Sequence, residues 1–357
     1  MFIYFTIFIV VGAIGFIEVF GNLYTQKYYK VYFQIFFTLF FIWFIGFREC
    51  GYDYENYEYY FHLLHSDFWN SNAQFLMVEK FYAWLNYILP SYRILLIVFA
   101  TITCTATSYF FYKNTQYPFY SYFLLLGISV YLNYMGQYRQ GISIPIILLA
   151  FVSTKKIHQI LLIIIASSFH ISALLAFLIF ILPQYIFSIK RYIQFLLLAL
   201  ISNLTLSSIF KIYLEKLPSF IHQKLSYYTN SEEGLTYGLN LAMLLRVLSF
   251  LIFYKYKNII QENRNGPFLF NIYFLSLLIY LGLGFLPQLS GRGSLYFYIT
   301  EIVISSYIIG SYELSLRKRL LIFSYYYLIA TYRQISFFTG EAHDSYIPYK
   351  NILYHIF

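Results

Sequence analysis

The sequence has few charged residues. They make up 11% of its 357 residues, whereas 60% are hydrophobic. Soluble globular proteins carry about 25% charged residues, so this chain has too little charge to cover a water-exposed surface. No stretch resembles a separate soluble domain, and we expect residues 1–357 to form a single transmembrane domain. The shortage of charge predicts an all-α, polytopic integral membrane protein, because helices satisfy their own backbone hydrogen bonds in lipid.

Cysteines and nucleotide or metal motifs are equally scarce. The chain has two cysteines, Cys50 and Cys104, which are too few for a disulfide framework. It has no cysteine/histidine cluster, no HExxH motif and no GxxxxGK[ST] loop. The net charge of +9 is scattered over short loops, so a nucleic-acid partner is not expected either. These absences predict a protein with no cofactor and no tightly bound metal.

Apolar runs between polar residues mark the candidate membrane spans. A hydrocarbon core of about 30 Å needs ~20 apolar residues per helix, so the runs predict about 10–12 transmembrane helices. Two of them, 141–154 and 157–168, are too short to cross alone and are interpreted as tilted or broken helices. The candidate spans are 2–20, 31–47, 93–112, 118–135, 141–154, 157–168, 171–189, 192–210, 238–256, 268–287, 293–312 and 320–336.

The distribution of positive charge predicts the orientation. Loops on one side of these spans hold 13 lysines and arginines but two acidic residues, whereas those on the other side hold 10 and 11. The positive-inside rule makes the first side cytoplasmic, so both termini are expected to face outward. Two outward loops are long. Residues 48–92 contain an amphipathic stretch at 79–89, predicted to lie as a helix on the outer membrane surface, and residues 211–237 form the second loop.

Four polar clusters fall on the predicted outer face, and the first two are arginine-centred. In residues 48–57, Arg48 would bind an anion and Asp53 would act as a base or a sugar ligand. The alternative is an arginine that reaches to the interface, followed by an acidic loop. In residues 133–140, Arg139 lies between two apolar runs, as an anion ligand or as an interfacial anchor.

The other two clusters contain a histidine and a third arginine. His170, in residues 167–174, interrupts an apolar stretch, and ionisable groups at membrane depth usually have a function. The alternative is a neutral histidine bonded to neighbouring serines. Arg292, in residues 290–297, is flanked by glycines that would let an anion approach, or that simply form a turn. Arginine binds phosphate through two parallel hydrogen bonds, so the clusters favour a phosphate-containing ligand.

Two further charges lie inside apolar runs. Arg246 and Glu301 each need a partner or a water-filled cavity at that depth. They are therefore a candidate intramembrane pair, with a structural role as the alternative to a functional one.

Taken in order, these clusters resemble the EpsG family, which is related to the Wzy-type O-antigen and capsular polysaccharide polymerases of bacteria. Each motif is short, but the ordered set covers nearly the whole chain. The residues that carry the resemblance are Arg48, Gly51, Tyr52, Asp53, Tyr57, Phe61, Arg139, Gln140, Phe169, His170, Ile171, Ser172, Ala173, Leu174, Arg292, Tyr296, Phe297 and the ending Pro348-Tyr349-Lys350-Asn351-Ile352-Leu353.

The resemblance implies a polymerase of surface polysaccharide in the bacterial inner membrane. Such an enzyme transfers undecaprenyl-pyrophosphate-linked oligosaccharide repeat units onto one another at the outward face. The fold would resemble the metal-independent GT-C-type membrane glycosyltransferases. The implied partners are membrane lipid, lipid-linked oligosaccharide and a chain-length regulator protein.

The chemistry assigns roles to the clustered residues. Arg139 and Arg292, supported by Arg48, would stabilise the pyrophosphate leaving group, since preorganised cations stabilise developing charge in a sheltered site. The acceptor hydroxyl needs a general base. His170 suits this role because histidine titrates near neutral pH, and Asp53 is the competing candidate.

Three other functions would also suit a polytopic, basic, aromatic-rich chain. A flippase or transporter of lipid-linked oligosaccharide needs polar groups open to both sides, whereas these clusters gather on one predicted side. A membrane O-acyltransferase draws its acyl groups from the cytoplasm, whereas His170 is predicted near the outer face. An O-antigen ligase shares the chemistry and differs in its acceptor, so the sequence leaves it open.

Overall fold

The computed structural model describes residues 1–21, 27–66, 79–213, 239–340 and 343–352. It is 83% helix, and the described residues form no strand beyond an isolated bridge between Arg48 and Asn351. The all-α prediction is confirmed. The α-helices are α1 (Phe2–Phe20), α2 (Lys27–Gly46), α3 (Tyr54–Ser66), α4 (Lys80–Ile88), α5 (Tyr92–Asn114), α6 (Pro118–Leu125), α7 (Tyr138–Val152), α8 (Lys156–Phe169), α9 (Ile189–Tyr213), α10 (Leu241–Lys255), α11 (Lys257–Glu262), α12 (Gly266–Gly282), α13 (Pro287–Tyr298), α14 (Thr300–Gly310), α15 (Leu316–Thr339) and α16 (His343–Tyr346).

Two helices of other types complete the set. A π-helix, Leu126–Gly136, follows α6 directly, and a 3₁₀-helix, Ile171–Ile181, follows α8 after one residue. Together α6 and the π-helix form one helical stretch that coincides with the predicted span 118–135. π-Helices are rare and often occur at functional sites, so this stretch is a candidate part of a functional site.

Four helical stretches are long and apolar enough to cross a membrane. They are Phe2–Phe20, Tyr92–Asn114, Ile189–Ile209 and Pro287–Gly310. Five shorter apolar helices accompany them: Lys30–Gly46, Tyr138–Val152, Lys156–Phe169, Ile171–Ile181 and Gly266–Gly282. By length and composition the described residues therefore contain four candidate spans, where the sequence predicts about 10–12. The difference arises mainly because the five other apolar helices are shorter than one membrane crossing requires.

The chain divides into two compact units by its internal contacts. The first comprises Met1–Leu174 and Ile309–Phe357, and the second comprises Leu175–Ile308. In the first unit, α7 packs on α8, α5 and the π-helix, while α15 packs on the π-helix and α6. In the second unit, α12 is central and packs against α9, α10, α11 and α13.

Local sequence signals explain several helix starts. Proline lacks a backbone N–H and suits the first turn, and both α6 and α13 begin with one, at Pro118 and Pro287. Side-chain oxygens cap two others. The Ser91 hydroxyl accepts from the Ile94 N–H at the start of α5, and Asn240 caps α10 in the same way.

A close approach between the π-helix and α7 depends on a glycine. A Cβ atom at Gly141 would lie 2.3 Å from the Asn133 carbonyl oxygen. Glycine alone lets the first turn of α7 lie against the end of the π-helix. This contact fixes the position of Arg139, in the first turn of α7.

The C-terminal segment ties down the loop after α2. The Glu49 N–H donates to the Lys350 carbonyl at 2.9 Å, and the Gly51 N–H donates to the Ser345 carbonyl at 2.9 Å. The Tyr346 hydroxyl donates to the Tyr131 carbonyl in the π-helix at 2.6 Å. Residues 343–352 therefore form a strap that holds the loop against the π-helix.

Of the two loops predicted to face outward, the structure describes most of the first and almost none of the second. Residues 48–92 contain α3 and α4, and α4 covers the amphipathic stretch 79–89. On α4, Phe81 and Trp84 are exposed, while Tyr82 is fully buried. The loop 211–237 lies almost entirely outside the described residues.

Candidate active site

A carboxylate, an arginine and a histidine meet in the first unit. One oxygen of Glu79, Oε2, accepts from Arg139 NH1 at 2.7 Å. The other, Oε1, lies 3.3 Å from His170 Nδ1 and accepts from the Ile171 N–H at 3.0 Å. The side chains of Arg139, Glu79 and His170 are 23%, 14% and 16% exposed. The cluster is therefore sheltered but reachable, as a reaction site must be.

The α7–α8 hairpin explains why Arg139 and His170 meet. The two helices have 15 and 14 residues, so each is about 21–22 Å long. A short turn joins them, and helices of matched length bring the start of α7 next to the end of α8. The Ser143 hydroxyl fastens the pair by donating to the Ala166 carbonyl at 2.9 Å.

His170 lies where the helix breaks. Its backbone is extended, with φ −154° and ψ 113°, and a 3₁₀-helix starts at the next residue. The break leaves the Ile171 N–H without an intrahelical acceptor, and Glu79 accepts from it. One carboxylate therefore satisfies the backbone at the break and orients the histidine ring.

The electrostatic surroundings keep Glu79 ionised. Burial raises the pKa of its carboxyl, but the hydrogen bond with His170, the charges of Arg139 and His170, and the Ile171 N–H together lower it to about 2. An ionised carboxylate only accepts hydrogen bonds. His170 Nδ1 therefore carries a hydrogen, and when the ring is neutral Nε2 carries the lone pair.

Buried tyrosines surround Arg139. Its guanidinium carbon lies 5.7 Å from the ring centre of Tyr57 and 5.5 Å from that of Tyr82. The hydroxyls of Tyr82 and Tyr138 are 3.1 Å apart. Within the described residues Arg139 Nε has no hydrogen-bond partner. Arg139 is thus held by Glu79, by a hydrogen bond with the Tyr57 side chain and by the aromatic rings.

Arg48 has a different environment from the one expected of a phosphate ligand. It is 1% exposed. Its Nε and NH2 donate to the Met135 carbonyl at 3.0 and 2.7 Å, and NH1 donates to the Ile45 carbonyl. Its guanidinium carbon lies 6.0 Å from the Tyr138 ring centre. Arg48 therefore ties the end of α2 to the end of the π-helix.

Asp53, the competing base, lies in the turn that starts α3. The turn depends on Gly51, whose φ of +147° disfavours any other residue. Asp53 is partly buried and lies close enough to the Tyr346 hydroxyl for electrostatic interaction. The structure thus brings three of the four sequence clusters into the first unit. There His170 contacts Glu79, the carboxylate that is paired with Arg139.

The fourth cluster and the two intramembrane charges lie in the second unit. Arg292 is partly buried in α13. Arg246 is stacked between the rings of Tyr280 and Tyr298, 4.3 Å from each ring centre, and its NH1 donates to Ser294. Glu301 is 2% exposed.

The intramembrane pairing stays a prediction. Arg246 and Glu301 both act electrostatically on the Tyr273 hydroxyl, which places both charges near one side chain.

In the described residues, no group of three histidine, cysteine, aspartate or glutamate side chains could hold a metal ion.

Sequence reasoning missed Glu79 and the tyrosine cluster. Glu79 is a single acidic residue just before an amphipathic helix, with no motif around it. The available signal was charge complementarity, because a predicted site with two cations needs an acidic partner when it is sheltered from water. Tyr57 belongs to the family pattern, but the 42 tyrosines are spread along the chain, so the sequence does not show that Tyr57, Tyr82 and Tyr138 meet.

The apolar helices and the ionic cluster at a helix break define an integral membrane protein with a candidate active site. A family model described as the EpsG family matches residues 30–351, most of the chain. The protein therefore belongs to the EpsG family. Neither the comparison with curated proteins nor the comparison with solved structures finds a match.

Proposed function

We propose that the protein is a polysaccharide polymerase that transfers undecaprenyl-pyrophosphate-linked oligosaccharide repeat units onto one another. Membership in the EpsG family suggests a Wzy-like polymerase kind of function. The observation that carries the proposal is the Glu79-centred contact between Arg139 and His170. It combines a cation for a pyrophosphate with a base for a sugar hydroxyl, which are the two groups that this transfer needs.

In the proposed reaction, His170 Nε2 takes the proton from the acceptor hydroxyl. The hydroxyl oxygen bonds to the anomeric carbon of the donor. The bond from that carbon to the pyrophosphate oxygen breaks, and its electron pair stays with the pyrophosphate. Glu79 holds the histidine in the correct tautomer and stabilises the imidazolium, as the carboxylate of a hydrolase triad does.

Arg139 would stabilise the departing pyrophosphate. Its Glu79 partner already neutralises one side of the guanidinium, while the partly exposed planar fork suits a phosphate oxygen. Arg292 remains the second proposed pyrophosphate ligand on its sequence context. The burial of Arg48 favours a supporting role for it, and Asp53 remains the competing base.

The remaining features of the proposal concern the membrane. We infer about 10–12 spans with a fold like GT-C glycosyltransferases, an inner-membrane location and an active face directed outward.

The reaction requires no cofactor and no metal in this proposal. A chain-length regulator is a proposed partner. Activity that persists in excess chelator would support the metal-independent mechanism, and its loss with rescue by a divalent cation would contradict it.

The direct test is chain extension by the purified full-length protein supplied with lipid-linked repeat units. We expect His170→Ala to lose about 10²–10⁴-fold in rate, and Arg139→Ala or Arg292→Ala to lose about 10²–10³-fold. His158→Ala and Arg93→Ala are matched controls, because both side chains are exposed and lie outside the cluster. Full activity of His170→Ala and Arg139→Ala would overturn the assignments.

The same assay separates the alternatives. A ligase would transfer the saccharide to a lipid A acceptor and leave the repeat units unextended. A flippase would move lipid-linked saccharide across vesicles without making longer products. A deletion mutant gives a further check, since loss of a polymerase leaves single repeat units on the surface, whereas loss of a flippase leaves none.

A further inference from the structure

Positive charges gather at one end of the helices of the second unit. The segments 182–191 and 254–265 carry five lysines and arginines against one acidic residue, Glu262. Four of the five cations are exposed, and Lys257 is partly exposed. This group is named the basic patch, and its members are Lys190, Arg191, Lys255, Lys257 and Arg264.

Tyr254 joins the two segments of the basic patch. Its hydroxyl accepts from the Ile189 N–H at 3.0 Å, and from Lys257 Nζ at 3.4 Å. Lys257 Nζ also lies 4.8 Å from the centre of the Tyr254 ring. The start of α9 therefore lies beside the end of α10, and the cations of both segments share one surface.

Aromatic rings accompany these cations in place of acidic side chains. The guanidinium carbon of Arg191 lies 5.5 Å from the ring centre of Phe187, and Lys255 Nζ lies 5.6 Å from that of Tyr256. Among the described residues, no member of the basic patch forms an ion pair. Like charges repel one another, so an external anion would stabilise this end of the unit.

An exposed apolar surface continues from the basic patch along α9. The stretch Ile189–Ile209 is the least buried of the four candidate spans. Leu197 and Leu198 are exposed on it, as is Leu251 on the neighbouring α10. Leu197 lies six residues after Arg191, which is about 9 Å along a helix. Cations and an apolar wall at this spacing suit an amphiphile with an anionic headgroup and acyl chains.

We propose that the basic patch binds the headgroup of an anionic phospholipid whose acyl chains lie along α9. About four to eight lysines and arginines at the cytoplasmic end of a membrane helix are typical of such binding, and this end is predicted to be cytoplasmic. An acidic protein segment is a poorer occupant, because it would use the cations and leave the apolar surface of α9 unused. The inference goes beyond the proposed function, because this lipid is not the substrate.

The test titrates the purified full-length protein in detergent with phosphatidylglycerol or with zwitterionic phosphatidylcholine, and counts bound lipid by native mass spectrometry. We expect the wild type to bind phosphatidylglycerol more tightly. Lys190→Gln combined with Arg191→Gln should weaken this binding about fivefold for each cation removed, or about 25-fold in all. The preference should also fall as salt rises from about 0.05 M to about 0.5 M, because salt screens exposed charges.

The matched control is Lys155→Gln combined with Lys156→Gln. It removes the same charge from two exposed lysines on the same predicted side, but in the first unit. This variant should keep most of the affinity for phosphatidylglycerol. Without added lipid, both double variants should unfold at the wild-type temperature, because substitutions of exposed side chains change stability little.

Two soluble competitors separate a lipid site from other anion sites. Glycerol 3-phosphate and polyglutamate should not displace phosphatidylglycerol, because neither has acyl chains for the surface of α9. Displacement by polyglutamate would overturn the lipid assignment in favour of an acidic protein partner, and displacement by glycerol 3-phosphate would overturn it in favour of a free phosphate.

The lipid readout stands apart from chain extension, so it does not depend on the proposed function. Equal affinity of the wild type for the two phospholipids would overturn the inference. The same loss of affinity in both double variants would also overturn it, since it would reduce the basic patch to an effect of net charge.

Discussion

Two arginines of similar appearance in the sequence have different surroundings in the structure. Arg48 is almost fully buried and donates to two backbone carbonyls. Arg139 is partly exposed, is paired with Glu79 and keeps an unpartnered Nε among the described atoms. Both arginines follow apolar runs, so the sequence suggests the same role for both. Burial and partner type separate a structural arginine from a candidate ligand-binding one.

The two arginines should therefore respond differently to lysine. A lysine at position 48 cannot reach two carbonyls with a planar fork, so Arg48→Lys should destabilise the protein by about 2 kcal/mol or more. Arg139→Lys keeps a charge beside Glu79 and should lose activity with a smaller loss of stability. Unfolding midpoints in detergent and chain extension, measured on both variants, test this. The reverse pattern would exchange the two roles.

Glu79 gives a pH-dependent prediction. Its pKa is lowered from 4.5 to about 2, so its ionised form stabilises the folded state above about pH 5. This contribution, on the order of 3 kcal/mol, is lost as the pH falls from about 4.5 toward 2. Thermal unfolding of wild type and Glu79→Gln should differ most near neutral pH and converge in acid. A difference that stays constant across this range would show that the carboxylate charge contributes nothing.

At the scale of the element, helix breaks matter more than helix content. The sequence predicts helices well, because apolar runs in a membrane have no other backbone solution, and the short runs near Arg139 and His170 are α7 and α8. The predicted boundary between 168 and 171 agrees with the end of α8 at Phe169, but the sequence does not reveal that a 3₁₀-helix follows. It also leaves α3 undetected, because this segment has no apolar run of spanning length.

The loop between α2 and α3 gives a prediction at this scale. A Cβ atom at Gly51 would lie 2.5 Å from the Met135 carbonyl oxygen, at a φ of +147°. Gly51→Ala should therefore displace the carbonyl that Arg48 binds, and cost about 1–3 kcal/mol of stability. Gly291→Ala is the control, because its Cβ would meet nothing within 4 Å. The unfolding midpoints of the two variants test this, and equal midpoints would show that the loop adapts at no cost.

For the whole molecule, the sequence predicts the class and the family from composition and ordered motifs, whereas tertiary contacts decide the site. Glu79 lies 60 residues from Arg139 and 91 from His170 along the chain. No local sequence pattern predicts contacts between residues so far apart along the chain. The role of Glu79 is therefore visible only in the folded structure.

The predicted orientation can be tested on the whole molecule by the accessibility of single cysteines. The two native cysteines are buried, with 6% and 5% exposure for Cys50 and Cys104, so they should react little. Arg93, which is paired with Glu49, lies on the side of the membrane that is predicted to face outward. Lys155 lies in the turn between α7 and α8, at the opposite end of α7 from Arg139. Each is replaced by cysteine in turn. Because Lys155 belongs to the positive side, we expect an impermeant maleimide to label Arg93→Cys in intact spheroplasts, and Lys155→Cys only after permeabilisation. The opposite labelling would put the Arg139–His170 site on the cytoplasmic side, where lipid-linked repeat units are not yet exported, and would contradict polymerisation at the outward face.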